Sequence, residues 1–231
     1  MNIQELVNKE LATEQESRKD RQRSGKYSPS LLGCCYRRQW WNRSNEPVSN
    51  PSDERSLRIF KVGNFFHKWV QDLITKNNPD ISTEVKLEDD NFLGFADVVN
   101  GEEVIDIKSV HSKAFWYMEK SKDIVKDKYN NWLQVMFYAQ KLGKKYGKLT
   151  FISKDDLTIA EYRQELDGYW LNELDMEITK LEYYWEHKTL PPGDPRAYDG
   201  KECKYCNFQK TCNLKEGKND TRNEIPEGER V

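Results

Sequence analysis

No apolar run in the 231 residues approaches the roughly 20 that a bilayer-spanning helix needs. The sequence therefore predicts no membrane partner. A charged fraction of 33% and a mean hydropathy of -0.95 predict a soluble chain with an extensive solvated surface. The opening segment MNIQELVNKELATEQ lacks the apolar core of a secretory signal, which predicts a cytoplasmic, intracellular protein. A surplus of either charge sign is also missing. The formal net charge is -2, so binding to nucleic acid cannot be argued from overall charge, and any DNA path must be a local basic patch. Histidine is scarce at three residues, and no internal repeat is visible. Five cysteines without a secretory signal suit a reducing compartment, where thiolates bind metals more often than they pair.

What is present centres on GFADVVNGEEVIDIKSV, residues 94–110. Two short strands, 93–99 and 104–109, are predicted on either side of Asn100-Gly101, a strong hairpin signal. Side chains alternate along a strand, so Asp106 and Lys108 share one face while Ile105 and Ile107 point the other way. If residues 100–103 form the loop, Asp97 stands directly opposite Asp106. If only Asn100-Gly101 turn, Asp97 lies diagonal to Asp106 on the same face. Either register gathers two carboxylates and a lysine on one surface. Crowded carboxylates are unfavourable when bare and favourable around a hard divalent cation. A lysine beside that cation can orient an attacking water or offset charge developing on a phosphate. Without further context such a hairpin is equally an ordinary solvated face.

The rest of the chain supplies context. Residues 2–23 suit a polar helix with Ile3, Leu6, Val7 and Leu11 as its apolar stripe, ending in a basic run that reads as a solvated face. Ser28-Pro29 opens a helix expected to carry Cys34, Cys35, Arg37, Arg38, Trp40 and Trp41 in one piece. Residues 53–76 form a long helix whose apolar side draws on Phe60, Phe65, Phe66, Trp69, Val70, Leu73 and Ile74. Gly63 and His67 lie four apart on it, the glycine expected to permit close backbone packing. A strand at 81–87 places Glu84 one strand before the hairpin. A lysine-rich stretch, 112–126, precedes a helix that begins at Tyr129, carries Gln134 and Tyr138, and ends at Gly143. A second hairpin turns at Asp155-Asp156. Asp167 caps the last long helix, whose aromatic residues are expected in the core. Beyond it lies Cys203-x2-Cys206-x5-Cys212, three thiols with no comparable structural explanation. Zinc and an iron–sulfur cluster both accept such a set, with Cys34 or Cys35 as fourth ligand.

Taken in order, these motifs resemble the CRISPR-associated exonuclease family, in the RecB-like branch of the PD-(D/E)XK nucleases. The matching elements are Cys35-x-Arg37, Gly63-x3-His67, Gly94-x2-Asp97, Asp106-x-Lys108, Gln134-x3-Tyr138 and the closing cysteine triplet. Two departures stand out. Asp106 occupies a position where glutamate is common, and Tyr36 follows the early cysteine where proline is frequent.

The resemblance implies an α/β fold, a mixed sheet flanked by helices, with N- and C-terminal helical segments joined by a [4Fe–4S] cluster on Cys35, Cys203, Cys206 and Cys212. It implies a nuclease domain over 28–213, with a polar arm at 1–27 and a disordered tail at 214–231. His67, Asp97, Asp106 and the Ile107 carbonyl are the implied ligands of Mn2+ or Mg2+, and Lys108 acts on the attacking water. Gln134 and Tyr138 hold the DNA backbone or orient Lys108, and Glu84 is a weaker candidate for a supporting carboxylate. Arg37, Arg38 and the lysines of 113–128 are candidate phosphate contacts. The implied activity is a metal-dependent DNA exonuclease acting mainly on single strands, as in trimming DNA for CRISPR spacer acquisition beside integrase proteins. Two alternatives are a phage or repair nuclease of the same type and a non-cutting DNA-binding subunit. Self-association into a homo-oligomer is left open.

Overall fold

The computed structural model describes residues 1–19 and 24–216. Its centre is a five-stranded sheet in the order β1-β2-β3-β4-β5, formed by Ser82–Glu88, Leu93–Asn100, Glu103–Val110, Tyr146–Ser153 and Ile159–Glu165. All neighbours run antiparallel except β3 and β4, which run parallel. A parallel pair needs a crossover, and this one contains α4 (Ser112–Glu119), α5 (Ile124–Asp127) and α6 (Tyr129–Lys141).

Alternation along β3 sorts the two faces. Ile107, with Val98 and Ile152, packs against Phe66, Val70 and Ile74 of α3 (Glu54–Asn77). Val104 belongs instead to the larger core built on α6 and α7 (Gly168–Glu186), with Trp132, Leu133, Phe137, Leu149 and Leu174. Helices therefore cover both faces of a mixed sheet, and the β3 residues between the two cores are held from each side. α6 is buried nearly all round from Trp132 to Ala139, as a helix wedged between sheet and helix must be. Asp53 caps α3 through Ser56 N, and Asp167 caps α7 through the amides of Tyr169 and Trp170, the interaction that orphan first-turn donors require.

Several expectations need correction. The helix opening at Ser28-Pro29 is two pieces, a 3-10 turn at Pro29–Leu31 and α2 at Tyr36–Arg43. Gly33 breaks it at φ +77, where any Cβ would stand 3.0–3.2 Å from Leu133 and Asn130, so the chain must turn as it passes α6. The face of α3 is also narrower than its composition indicates. Phe60, Phe65 and Trp69 are 56%, 63% and 46% exposed. α1 (Ile3–Lys19) packs against α3 and buries Leu11, while Ile3, Leu6 and Val7 stay exposed. Gly63 makes no close backbone approach, since a Cβ there would meet only Ser109 Oγ at 3.7 Å. Finally, Cys212 lies on a further helix, α8 (Gln209–Glu216). The tail expected from 214 therefore begins as helix, and 217–231 lie outside the described residues, as do 20–23 of the basic run.

Candidate active site

The hairpin turns at Gly101-Glu102, with Asn100 paired to Glu103 and Val98 to Ile105. Continued by one step, that register sets Asp97 opposite Asp106. On the other side Thr83 pairs with Val98 and Val85 with Ala96, which sets Glu84 opposite Asp97. Three carboxylates thus stand in a row across β1, β2 and β3. Glu84 takes φ +52 there, a left-handed conformation that a non-glycine residue seldom adopts and that is common at functional sites.

The β2–β3 ladder stops at Val98–Ile105, and the two strands part just where the row crosses. The Ile107 amide, freed from the ladder, donates to Asp97 Oδ2 at 2.7 Å. Through the opening, α3 reaches the row from the opposite face. His67 Nδ1 lies 3.8 Å from Asp97 Oδ2, and the Ile107 backbone lies beside the His67 ring. Gln71, one helical turn on, donates to Glu84 Oε1 at 2.6 Å and to the Asp97 carbonyl at 3.2 Å. From the α6 side, Lys108 Nζ lies 2.8 Å from Asp106 Oδ1 and 3.4 Å from Gln134 Oε1. Tyr138 sits beside Gly94, where a Cβ would come 2.2 Å from its hydroxyl.

The electrostatics follow from burial. Asp97 is pushed up to about 7, first by desolvation and then by the charge of Asp106, with Lys108 and the Ile107 amide pulling the other way. His67 is held below its ordinary value by burial and by Lys108, which keeps its imidazole neutral and able to donate a lone pair. Asp106 is 3% exposed, and its Oδ2 has no hydrogen-bond partner among the described residues. A buried carboxylate oxygen without a donor is costly, and a divalent cation is a chemical partner that satisfies it. Among the described residues no three His, Cys, Asp or Glu side chains are already closed into a metal-holding group. The donor set nonetheless fits one, with the Asp106 oxygen open, Asp97 beside it, and His67 and the Ile107 carbonyl facing each other at the same gap.

The structure thus brings His67, Asp97, Asp106, Ile107, Lys108, Gln134 and Glu84 to one place, with Tyr138 at its edge. Gln71 also reaches the row, and sequence reading passed over it. Its signal was available, since it follows His67 at the i+4 spacing that shares a helix face.

The cysteines are placed less tightly. None of the five is in a disulfide. The segments that carry them are docked through Glu202, itself buried, which accepts from the amides of Cys35, Arg196 and Ala197 and from Arg38. Arg37 Nη1 lies 3.3 Å from Cys212 Sγ, and burial pushes the Cys206 thiol up from its ordinary value. Burial pushes the Cys34 thiol up to about 12 and the Cys35 thiol up to about 11, the amides of Arg37, Arg38 and Asp194 pulling the latter back. Those amides face the Cys35 sulfur at the start of α2, though none completes a side-chain cap bond there. The soft donor set and the docked segments fit a thiolate-bound group, although no three sulfurs converge in this structure.

No family model and no curated protein matches the sequence. The solved structures it resembles include SSO0001, at 20% identity and a TM-score of 0.59, over 92% of this chain and 96% of that one. Another is the alkaline exonuclease LHK-Exo from Laribacter hongkongensis, at 14% identity and a TM-score of 0.51, covering 72% of this chain and 90% of the enzyme. The same enzyme in complex with dAMP gives 16% identity, the same TM-score and the same coverage. The chain therefore has a mixed α/β fold that occurs in exonucleases.

Proposed function

We propose that this protein is a metal-dependent nuclease that shortens DNA from its ends and acts mainly on single strands. The observation that carries this reading is the row of Glu84, Asp97 and Asp106, of which Asp106 is buried, with Lys108 clasped to one oxygen of Asp106 and the other oxygen without a hydrogen-bond partner among the described residues. The alkaline exonuclease that shares the fold, solved also in complex with dAMP, supports the same reading.

His67, Asp97, Asp106 and the Ile107 carbonyl would hold Mn2+ or Mg2+; a nitrogen among oxygen donors favours manganese. When bound, the ion supplies positive charge against the phosphate oxygens and lowers the cost of ionising water. The chain's own groups do the rest. Lys108, fixed between Asp106 Oδ1 and Gln134 Oε1, holds the attacking water on line and offsets negative charge as it grows on the phosphate. Tyr138 offers its hydroxyl to the DNA backbone at the edge of the site, where Gly94 leaves room. Glu84 and Gln71 fix the row.

The same proposal assigns Cys35, Cys203, Cys206 and Cys212 to a [4Fe–4S] cluster that joins the two ends of the nuclease domain. The amides directed at the Cys35 sulfur favour it over Cys34, because they stabilise a thiolate there.

The test is an end-labelled single strand incubated with Mn2+ or Mg2+. The parent shortens it and EDTA stops the reaction, whereas Asp106→Ala, with an unchanged circular dichroism spectrum, leaves the strand intact. Cutting by Asp106→Ala at the parental rate overturns the assignment.

A further inference from the structure

α4 is amphipathic the wrong way round for a helix that merely covers a core. Its inner face buries Phe115 and Met118 in the main core. Its outer face carries Lys113, Trp116, Tyr117 and Lys120, spaced i, i+3, i+4 and i+7, the pattern of one helical stripe. Both aromatics on it are open to solvent, Trp116 at 49% and Tyr117 at 59%. They meet edge to face with ring centroids 5.0 Å apart, and Lys120 Nζ lies 4.0 Å from the Trp116 ring. Exposing two large rings costs solvation free energy. Interleaving them with lysines suits a partner that is flat, apolar on its faces and anionic along its edge.

The helix is held firmly in place. His111 caps it through the Ala114 amide at 3.2 Å, and the Ser112 amide donates to Asp155 Oδ2 at 2.9 Å. It also follows β3 directly, so Trp116 stands only a few residues of strand and one turn of helix beyond Lys108. Midway along the crossover, just before α6, Lys128 comes back to the sheet. Its Nζ lies 5.8 Å from the Phe151 ring, and Phe151 is the β4 neighbour of Lys108. The aromatic stripe and this second lysine thus border the strand that carries the proposed chemistry.

We infer that the outer face of α4 is a stacking platform for the bases of single-stranded DNA. Unpaired bases lie on Trp116 and Tyr117 while Lys113 and Lys120 hold the adjoining phosphates. Lys128 continues the basic track toward Lys108. Aromatic side chains along a basic path bind single strands with little regard to sequence, because every base has a stacking face. Paired bases are already stacked on one another, so the platform discriminates against duplex. This inference rests on the nuclease reading and adds the surface by which single strands are selected.

The test uses a fluorescein-labelled oligothymidine and a duplex of equal length, with EDTA present to prevent cutting. Trp116→Ala combined with Tyr117→Ala weakens single-strand binding by about tenfold or more, while the duplex changes little. Phenylalanine at both positions restores most of the affinity. The slope of affinity against salt stays constant in the aromatic variants, since it counts phosphate contacts. It falls by about one in Lys120→Ala. Both rings are exposed, so the alanine variants are expected to fold, as circular dichroism would show. A folded double variant that binds the oligothymidine as the parent does overturns the platform and leaves the nuclease reading standing. Loss of self-association in sedimentation, with single-strand binding intact, also overturns it, because the face is then a contact between copies of the chain. Aromatic-dependent binding by a parent that never cuts upholds the platform and overturns the nuclease reading.

Discussion

The carboxyl group of Asp97 embodies a conflict between folding and function. In the folded, metal-free protein it holds its proton to about 7, whereas its ordinary value is 3.8. The unfolded chain releases that proton first as pH rises, so this residue's contribution to stability falls between those two values. Asp97→Asn removes the conflict while keeping an oxygen to accept from Ile107. In EDTA at neutral pH, its melting temperature should exceed the parent's by about 2–4 °C for each 1 kcal/mol gained, with no gain at pH 4. With Mn2+ the order should reverse, the parent gaining stability and the variant none. A calorimetric series over pH, with and without metal, checks both halves. Gln71 acts one step further out. Gln71→Leu removes the donor to Glu84 Oε1 and to the Asp97 carbonyl; Glu84 is exposed and water replaces the donor there, so the cost of about 1–3 kcal/mol falls on the Asp97 carbonyl. Turnover should drop about tenfold or more and the Mn2+ requirement should rise, while the affinity for single strands in EDTA stays at the parental value.

Among the elements, the β2–β3 hairpin shows why a ladder that stops early is useful. Three paired positions fix the register, and the strands then separate so that His67 and Gln71 can reach the row from α3. Two glycines near the site make opposite predictions. A Cβ on Gly94 would meet Tyr138 Oη at 2.2 Å and Pro29 Cδ at 2.8 Å, so Gly94→Ala should destabilise by about 1–3 kcal/mol and displace Tyr138. Gly63 is helical with room around it, and Gly63→Ala should raise stability by up to about 1 kcal/mol. Denaturant midpoints of the two variants, compared with the parent, separate a glycine required by contact from one that is merely tolerated.

Across the whole molecule, Glu202 links the segments that carry the cysteines. Glu202 already ties the Cys35 amide and Arg38 to the C-terminal segment, and Trp41 packs on Phe208 with ring centroids 5.6 Å apart. The proposed cluster would add a covalent staple to that docking. Protein purified without air should be brown, and serine at Cys203, Cys206, Cys212 or Cys35 should remove the colour and lower the melting temperature. Serine at Cys34 should leave the colour, because that thiol is buried and strongly protonated. Stoichiometric zinc without iron, in protein never exposed to air, would overturn the cluster while leaving the nuclease reading intact.

Local rules were enough to find much of this molecule in its sequence. Period-two alternation placed Asp106 and Lys108 on one face, the 3.6-residue repeat set the spans of α3, α6 and α7, and Asp167 announced its cap. These are properties of neighbouring residues, so a linear reading recovers them. The tertiary structure alone decided between the two hairpin registers, because only the packed sheet shows where Asn100 finds its partner. It alone broke the early helix at Gly33, where the body of α6 stands in the way. Burial likewise had to be seen, since both Phe65 and Phe66 satisfy the helical repeat of α3 but only Phe66 meets the sheet. The left-handed turn of Glu84 and the parting of β2 from β3 depend on contacts distant in sequence, and no local pattern encodes them.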